Sequence, residues 1–118
     1  MSRVPVWFVA LAALAVPTLA QDPVKVAPKQ YSLVFENDQV RVLRAVLGPA
    51  EKTPPHDHPA TVVVPLSDVV GPFTVDGKSQ EVKMVAGTPL WIGAEKHTVE
   101  NPGKARVEVI VVELKGKK

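Results

Sequence analysis

Two of the chain's three histidines, His56 and His58, stand one residue apart within the segment 54–59, which also holds three prolines. In an extended strand, the side chains at positions i and i+2 point to the same face, with their Cα atoms roughly 7 Å apart. Two imidazoles held in this way can bind one metal ion together. The third histidine, His97, lies 39 residues after His58, so it joins the pair only if the fold returns its strand beside theirs.

The remaining residues exclude several other kinds of chemistry. The chain has no cysteine, which excludes disulfides, thiolate ligands and cysteine nucleophiles. The sequence also lacks a serine–histidine–aspartate order, a glycine-rich phosphate loop and paired carboxylates. Its net charge of +2 and its low aromatic content argue against a nucleic-acid partner. Glu95 and Glu100 flank His97 as candidate acids or bases, but glutamate is usually exposed, and no catalytic residue is assigned.

Residues 1–20 have the features of a secretory signal peptide. Arg3 supplies the positive charge, residues 4–16 are apolar, and small residues ending at Ala20 suit a cleavage site. A membrane anchor is the alternative, but prolines interrupt an apolar run that is shorter than the roughly 20 residues a span requires. We therefore expect a mature chain of 98 residues (118 − 20) that begins at Gln21, is periplasmic or secreted, and has no stable membrane insertion.

After the predicted signal peptide, the pattern is that of one small all-β domain over residues 31–114. About eight or nine short segments rich in β-branched residues are separated by turn signals, which is typical of a sandwich or barrel. Asp76-Gly77 is the clearest hairpin signal, and the nearly continuous apolar run 107–114 predicts a strand buried on both faces. Residues 21–30 are predicted to be a flexible N-terminal arm, and residues 115–118 a basic tail.

Two segments of this domain resemble the two sequence motifs of the cupin superfamily. Gly48 followed by His56 and His58 resembles the first motif, a glycine and then a His-x-His pair. Residues 87–101 resemble the second motif, in which a glycine opens the strand, Gly93 makes the turn, His97 is the ligand and an asparagine ends the motif. The two motifs stand in the family's order, and the resemblance covers nearly all of residues 31–114.

The resemblance implies a small single-domain cupin of the cupin_2 type. Its fold would be a double-stranded β-helix, or jelly-roll barrel, with the ligands at the barrel mouth. His56, His58 and His97 would bind a divalent transition metal, and three imidazoles suit iron, zinc, manganese, nickel or copper. Cupins of this size commonly form homodimers, through sheet edges or a swapped N-terminal strand, and residues 21–30 would supply such a strand.

One departure from the family pattern concerns a fourth ligand. The first cupin motif commonly adds a glutamate after three or four intervening residues, where this chain has Val62 and Val63. A divalent ion held by three neutral histidines keeps its full charge, which favours an anionic ligand or a metal-bound hydroxide in an open position. Thiol and diketone dioxygenases of the cupin type have a similar ligand set, but this chain has no cysteine and only one tyrosine, Tyr31.

Three functions fit these observations. The first is an exported metalloprotein that binds a small, anionic molecule at the barrel mouth and catalyses an oxygenase or isomerase reaction there. The second is a non-catalytic module that binds a ligand or a metal. The third is a degenerate cupin with a structural or interaction role. An arginine or glutamate facing the metal would favour an enzyme, whereas a pocket lined by valines would favour binding or a vestigial site.

Four further side chains have predicted positions. Arg41 and Arg44 have the chemistry to bind a carboxylate, but imperfect alternation in their strand favours solvent exposure for both. Trp91 is expected to pack in the core of a domain this poor in aromatic residues. Asn101, which stands before a Pro-Gly pair, is expected to be a turn residue.

Overall fold

The computed structural model describes residues 21–116, so the predicted signal peptide and the last two residues lie outside the described part. The described part contains one short helix and nine strands. They are α1 (Pro23–Val26), β1 (Tyr31–Glu36), β2 (Val40–Leu47), β3 (His56–His58), β4 (Thr61–Pro65), β5 (Val69–Val75), β6 (Lys78–Met84), β7 (Leu90–Ile92), β8 (Glu95–Val99) and β9 (Val107–Leu114). Among residues 21–116, no helix has the length and apolar character needed to cross a membrane.

The strands form two antiparallel sheets that enclose the core. One sheet has the order β1-β2-β9-β4-β7 and the other has the order β3-β8-β5-β6. Many neighbouring strands are distant in sequence, as in a jelly roll. The predicted all-β double-sheet fold is confirmed.

Strand β9 is the centre of the larger sheet, since it pairs with β2 on one side and with β4 on the other. None of its residues is exposed, as its apolar sequence predicts. Val107, Val109, Val111 and Glu113 alternate along one face of this strand, and the three valines line an internal cavity. The glutamate therefore lies at the end of an inward-facing apolar row.

The predicted hairpin at Asp76-Gly77 joins β5 to β6. Both residues have positive φ, 51° at Asp76 and 76° at Gly77, which is the backbone geometry of the two-residue turn that matches strand twist. The seven paired positions from Val69↔Met84 to Val75↔Lys78 continue without a register shift. This hairpin forms one edge of the smaller sheet.

Residues 21–30, predicted to be a flexible arm, pack against the barrel instead of standing free. Asp22 caps α1 by accepting a hydrogen bond from Val24 N, and a proline occupies the first turn, where its missing N–H costs nothing. Gln21 N donates to Asp57 Oδ2 at 3.1 Å, and Asp57 N donates to Gln21 O at 2.8 Å. Ala27, which follows the helix, is buried in the same cluster as Tyr31. The segment is thus joined to the strand that carries His56 and His58.

Candidate metal centre

The antiparallel pairing of β3 with β8 brings the three histidines together. His56 lies directly opposite His97 in the register, and His58 is two residues from His56 on the same face of β3. All three side chains are buried, and one nitrogen from each lies within 4.8 Å of those from the other two. The fold thus returns the distant histidine to the pair, as the cupin resemblance implies.

Each histidine has one ring nitrogen engaged by an oxygen of the protein. His56 Nδ1 lies 2.8 Å from the Pro54 carbonyl oxygen, His58 Nδ1 lies 2.8 Å from Glu113 Oε2, and His97 Nδ1 lies 2.7 Å from Glu95 Oε2. Because a carbonyl or an ionised carboxylate only accepts, each Nδ1 donates its proton and each Nε2 keeps a lone pair. This is the tautomer in which metal-ligating histidines are held, with the second nitrogen oriented by an acceptor.

The hydrogen bonding and the burial of the histidines suit the binding of a metal ion through Nε2. His97 Nε2 is buried and has no hydrogen-bond partner, which is costly unless a ligand uses its lone pair. Burial lowers the pKa of His56 to about 4 and also lowers the pKa of His97. Both imidazoles are therefore neutral near pH 7, as ligation requires. Three imidazoles match the donor set of zinc, iron, nickel or copper sites.

A chain of charged groups links the centre to the N-terminal segment. Glu113 accepts from His58 Nδ1 through one oxygen and from Arg41 Nε, at 2.9 Å, through the other. The terminal nitrogens of Arg41 donate to both carboxylate oxygens of Asp22, at 3.0 and 2.9 Å. The guanidinium of Arg41 holds the pKa of Asp22 below its usual value. These contacts fix the carboxylate that orients His58.

The predicted exposure of Arg41 is wrong. On β2 it shares the inward face with Leu43, Ala45 and Leu47, and only 17% of its side chain is exposed. Arg44 points to the other face, has 52% of its side chain exposed and pairs with Glu108, as predicted. The difference has a physical reason, because the buried carboxylate of Glu113 on the neighbouring strand requires a charged partner.

Tyr31, the first residue of β1, also lies at the centre. Its hydroxyl oxygen is 3.1 Å from His56 Nε2, and its ring centroid is 4.9 Å from that of His56 and 5.6 Å from that of His58. Burial, and secondarily the charge of Glu113, raises the pKa of this phenol. The hydroxyl therefore stays protonated and donates to His56 Nε2. Only its status as the single tyrosine marked it in the sequence.

A small apolar cavity adjoins His58 and His97. Its volume is about 50 Å³, enough for a few water molecules or a small ligand. The lining is mainly aliphatic and aromatic, and it includes Leu47, Val63, Val69, Phe73, Val99 and Val111. Among residues 21–116, no arginine or glutamate side chain lines this cavity. Glu95 and Glu113 contact the far nitrogens of the histidines instead.

Two more predicted residues lie outside the centre. Trp91 is 60% exposed, so the prediction of core packing is wrong. It stands on the short edge strand β7, whose flanking Leu90 and Ile92 pack against the core, which turns the indole outward. Asn101 is buried, and its amide donates to the carbonyls of Leu47, Gly48 and Ala105. This asparagine holds the loop after β8 to the end of β2.

Glu95 and Glu100, the candidate acids or bases beside His97, are both partly buried rather than fully exposed. Glu95 is two residues before His97 on β8 and so lies on the same face, where its carboxylate reaches Nδ1. Glu100 forms an isolated bridge with Lys52 through the backbone. Glu95 thus orients a histidine, whereas Glu100 belongs to the strand pairing.

Several solved structures have a similar fold, and some of them are described as cupins. A cupin domain from Bordetella pertussis Tohama I aligns with a TM-score of 0.69 and 22% identity, over 73% of this chain and 92% of that one. A protein with a double-stranded β-helix domain from Klebsiella pneumoniae aligns with a TM-score of 0.60 and 20% identity, over 74% and 76%. The polyketide cyclase RemF from Streptomyces resistomycificus aligns with a TM-score of 0.57 and 18% identity, over 81% of this chain and 73% of that one.

No family model and no curated protein matches the sequence. At these identities the structural likeness establishes the fold. The chain has the cupin fold, an antiparallel double-stranded β-helix.

Proposed function

We propose that this chain is an exported metal-binding cupin whose His56, His58 and His97 hold one divalent transition-metal ion through Nε2. The observation that carries the proposal is the hydrogen bonding of the three rings. Every Nδ1 is bound to a protein oxygen, and the buried Nε2 of His97 has no partner. A structural role for three buried histidines does not require that arrangement, whereas metal ligation does.

The ion would bind a small molecule, and an anion is favoured. Three neutral ligands leave the charge of a divalent ion uncompensated within the ligand set, and they leave at least one coordination position open. Glu95 and Glu113 orient two of the imidazoles through Nδ1 but do not line the cavity. The cavity volume of about 50 Å³ suits a ligand of a few non-hydrogen atoms.

The lining of the cavity favours ligand binding over catalysis. Valines are its most frequent residue, and no arginine or glutamate of the described chain reaches into it. An enzyme that performs an oxygenase or isomerase reaction is the second candidate, because Tyr31 places one protonated hydroxyl beside His56. A binding module retains its ligand unchanged, whereas the enzyme consumes it when loaded with a redox metal such as iron.

Export is supported by the position of Gln21. Cleavage after Ala20 would create an α-ammonium group on Gln21, whose nitrogen lies 3.1 Å from Asp57 Oδ2. The new positive charge would therefore meet a carboxylate that is already in place. The periplasm or the exterior of the cell is the proposed location.

Elemental analysis of the untagged protein tests the metal site. The full chain, residues 1–118, is expressed with its own N-terminus, and an intact mass that lacks residues 1–20 is the expected sign of export. The processed protein should contain about one transition-metal ion per chain. The variants His56→Ala and His97→Ala should contain almost none, since each removes one of three ligands.

Asp57→Ala is the matched control, because Asp57 lies between the two histidines on β3 and bonds to Gln21 instead of the centre. It should keep its metal. The proposal fails if the metal content is equally low in the wild type and the histidine variants and if neither takes up added zinc or iron. The chain would then be a structural domain with the cupin fold.

We also propose that the protein is a homodimer that associates through β1. This strand is an outer strand of the larger sheet, and Leu33, Val34 and Phe35 are each at least half exposed. Three consecutive exposed apolar residues on an edge strand are typical of an interface. Val34 stands at an irregularity in the register with β2, so we infer contact through side chains and not through a longer ladder.

Light scattering after size exclusion measures this association. The wild type should have the mass of two chains, and Val34→Lys should have the mass of one, because the ammonium cannot be buried in an apolar contact. Val85→Lys places the same charge at another exposed valine, which lies between β6 and β7, and should remain a dimer. A monomeric wild type, or a dimeric Val34→Lys, would remove β1 from the interface.

A further inference from the structure

Tyr31 lies at the histidine centre but has no place in the three-histidine ligand set. We propose that its hydroxyl donates a hydrogen bond to the small anion bound to the metal ion, and that it selects ligands whose metal-bound atom accepts a hydrogen bond. Azide, formate and hydroxide belong to this class. The inference rests on the proposed metal centre and adds the ligand chemistry of its open position.

The position of the phenol is fixed by its surroundings. Tyr31 is 5% exposed, and its ring packs against both His56 and His58. It also lines the same cavity as His58 and His97. The hydroxyl is therefore held at the edge of the ligand space, in a side chain that is itself buried.

The hydrogen bond that the hydroxyl now makes is incompatible with a bound metal. The oxygen lies 3.1 Å from His56 Nε2, and this nitrogen accepts because Nδ1 already donates to the Pro54 carbonyl. A metal ion uses the same Nε2 lone pair, so the phenol loses its acceptor on metal binding. Within the described residues it has no other hydrogen-bond partner, and a buried hydroxyl without an acceptor is costly.

The only new acceptor that metal binding introduces is a ligand on the ion itself. The other hydroxyl that lines the cavity, on Thr61, donates to the Ile92 carbonyl at 3.5 Å. Apart from the histidines, the rest of the lining within residues 21–116 is apolar. Tyr31 is thus the one donor of the described cavity that metal binding would free. A single oriented donor in an apolar space discriminates between ligands.

Azide binding to the cobalt-loaded protein tests the proposal. Tyr31→Phe removes only the hydroxyl, and Thr61→Val removes a hydroxyl from the same cavity that donates to the Ile92 carbonyl. Both proteins are loaded with Co²⁺, and azide is titrated while the visible spectrum of the ion is recorded. The azide dissociation constant should rise roughly 10- to 100-fold in Tyr31→Phe, the loss of one hydrogen bond to a charged acceptor. It should stay within about twofold of wild type in Thr61→Val.

Three results would overturn the inference. An unchanged or stronger azide affinity in Tyr31→Phe would show that the hydroxyl does not contact the anion. If Tyr31→Phe loses cobalt while Thr61→Val keeps it, the role of Tyr31 is to position the metal-binding histidines and not to contact the anion. An equal loss of azide affinity in both variants would assign the effect to packing. Failure of the wild type to bind cobalt would refute the metal centre itself, which is a separate outcome.

A crystal structure of the zinc-loaded wild type with azide gives a second measurement that does not depend on the folding of a variant. The Tyr31 oxygen should lie about 2.7–3.0 Å from the zinc-bound nitrogen of azide. A separation of more than about 4 Å, or a phenol that still contacts His56, would contradict the proposal.

Discussion

Glu113→Gln is expected to weaken zinc affinity roughly 10- to 100-fold, the usual effect of removing a group that orients a metal ligand. The carboxylate accepts from His58 Nδ1 at 2.8 Å and pairs with Arg41 at 2.9 Å. Glutamine has nearly the same shape, but it is neutral and has one acceptor oxygen in place of two. The His58 ring then loses either its orientation or the charge that makes Nε2 a stronger ligand. Competition with a zinc-binding dye measures the affinity.

The same substitution should lower the free energy of unfolding of the metal-free protein by about 2 kcal/mol. Breaking a buried ion pair typically costs about 3–5 kcal/mol when it strands the partner charge. Here the cost is smaller because Arg41 keeps its two hydrogen bonds to Asp22. Urea unfolding, followed by far-ultraviolet circular dichroism, gives this value.

Glu108→Gln is the matched control for Glu113→Gln. Glu108 is on the same strand, and it pairs with Arg44 and Arg106, whose side chains are more than half exposed. Exposed pairs contribute about 0–1 kcal/mol, so this variant should keep both its stability and its zinc affinity. If Glu113→Gln and Glu108→Gln behave alike, Glu113 has no special role at the centre.

The histidine set was predictable from the sequence because its signal is local. His56 and His58 share a face of any extended strand, and the segment around His97 resembles the second cupin motif. The all-β class followed in the same way from short apolar segments and from the Asp76-Gly77 turn. The signals for the pair and for the all-β class each span a few residues. The addition of His97 rested on the family resemblance, because its return depends on the pairing of β3 with β8.

The groups that reach the histidines from distant strands were not predictable, because strand pairing decides them. Arg41 and Glu113 are 72 positions apart, and Tyr31 and His56 are 25 apart. A register shift of one residue in β2 or β9 would turn either charge to the other face of the sheet. The sequence gives no means of choosing that register between strands that are not joined by a hairpin.

Trp91 and Arg41 show how residue type misleads when strand position is unknown. Tryptophan is usually well buried and arginine is usually exposed, yet this tryptophan is 60% exposed and this arginine has a side chain that is 17% exposed. The tryptophan faces outward on an edge strand. The arginine faces inward on a strand next to a buried carboxylate, where charge pairing outweighs the usual preference.

The metal-free protein is expected to lose stability as the pH falls from about 6.5 to about 4. Burial lowers the pKa of His56 from 6.5 to about 4 in the folded state. Between these values the unfolded chain binds a proton that the folded chain excludes, so the free energy of unfolding falls as pH falls. The contribution is fully present above pH 6.5 and is lost by about pH 4, with a total near 3 kcal/mol. His97, whose pKa is also lowered, adds to the loss in the same direction.

Urea unfolding of the chelator-treated protein at several pH values between about 7 and 4.5 measures this loss. Asp22 stays ionised throughout this range because its pKa is lowered, so it contributes little to the change. His56→Gln removes one of the titrating groups, so its profile should be flatter than that of the wild type. With zinc bound, the ion occupies the site of the proton, and stability should stay high until protons displace the metal. A wild-type free energy of unfolding that is constant over this range would contradict the burial of neutral imidazoles. Acid sensitivity that disappears when zinc is added would instead connect the charge state of His56 with the occupancy of the centre.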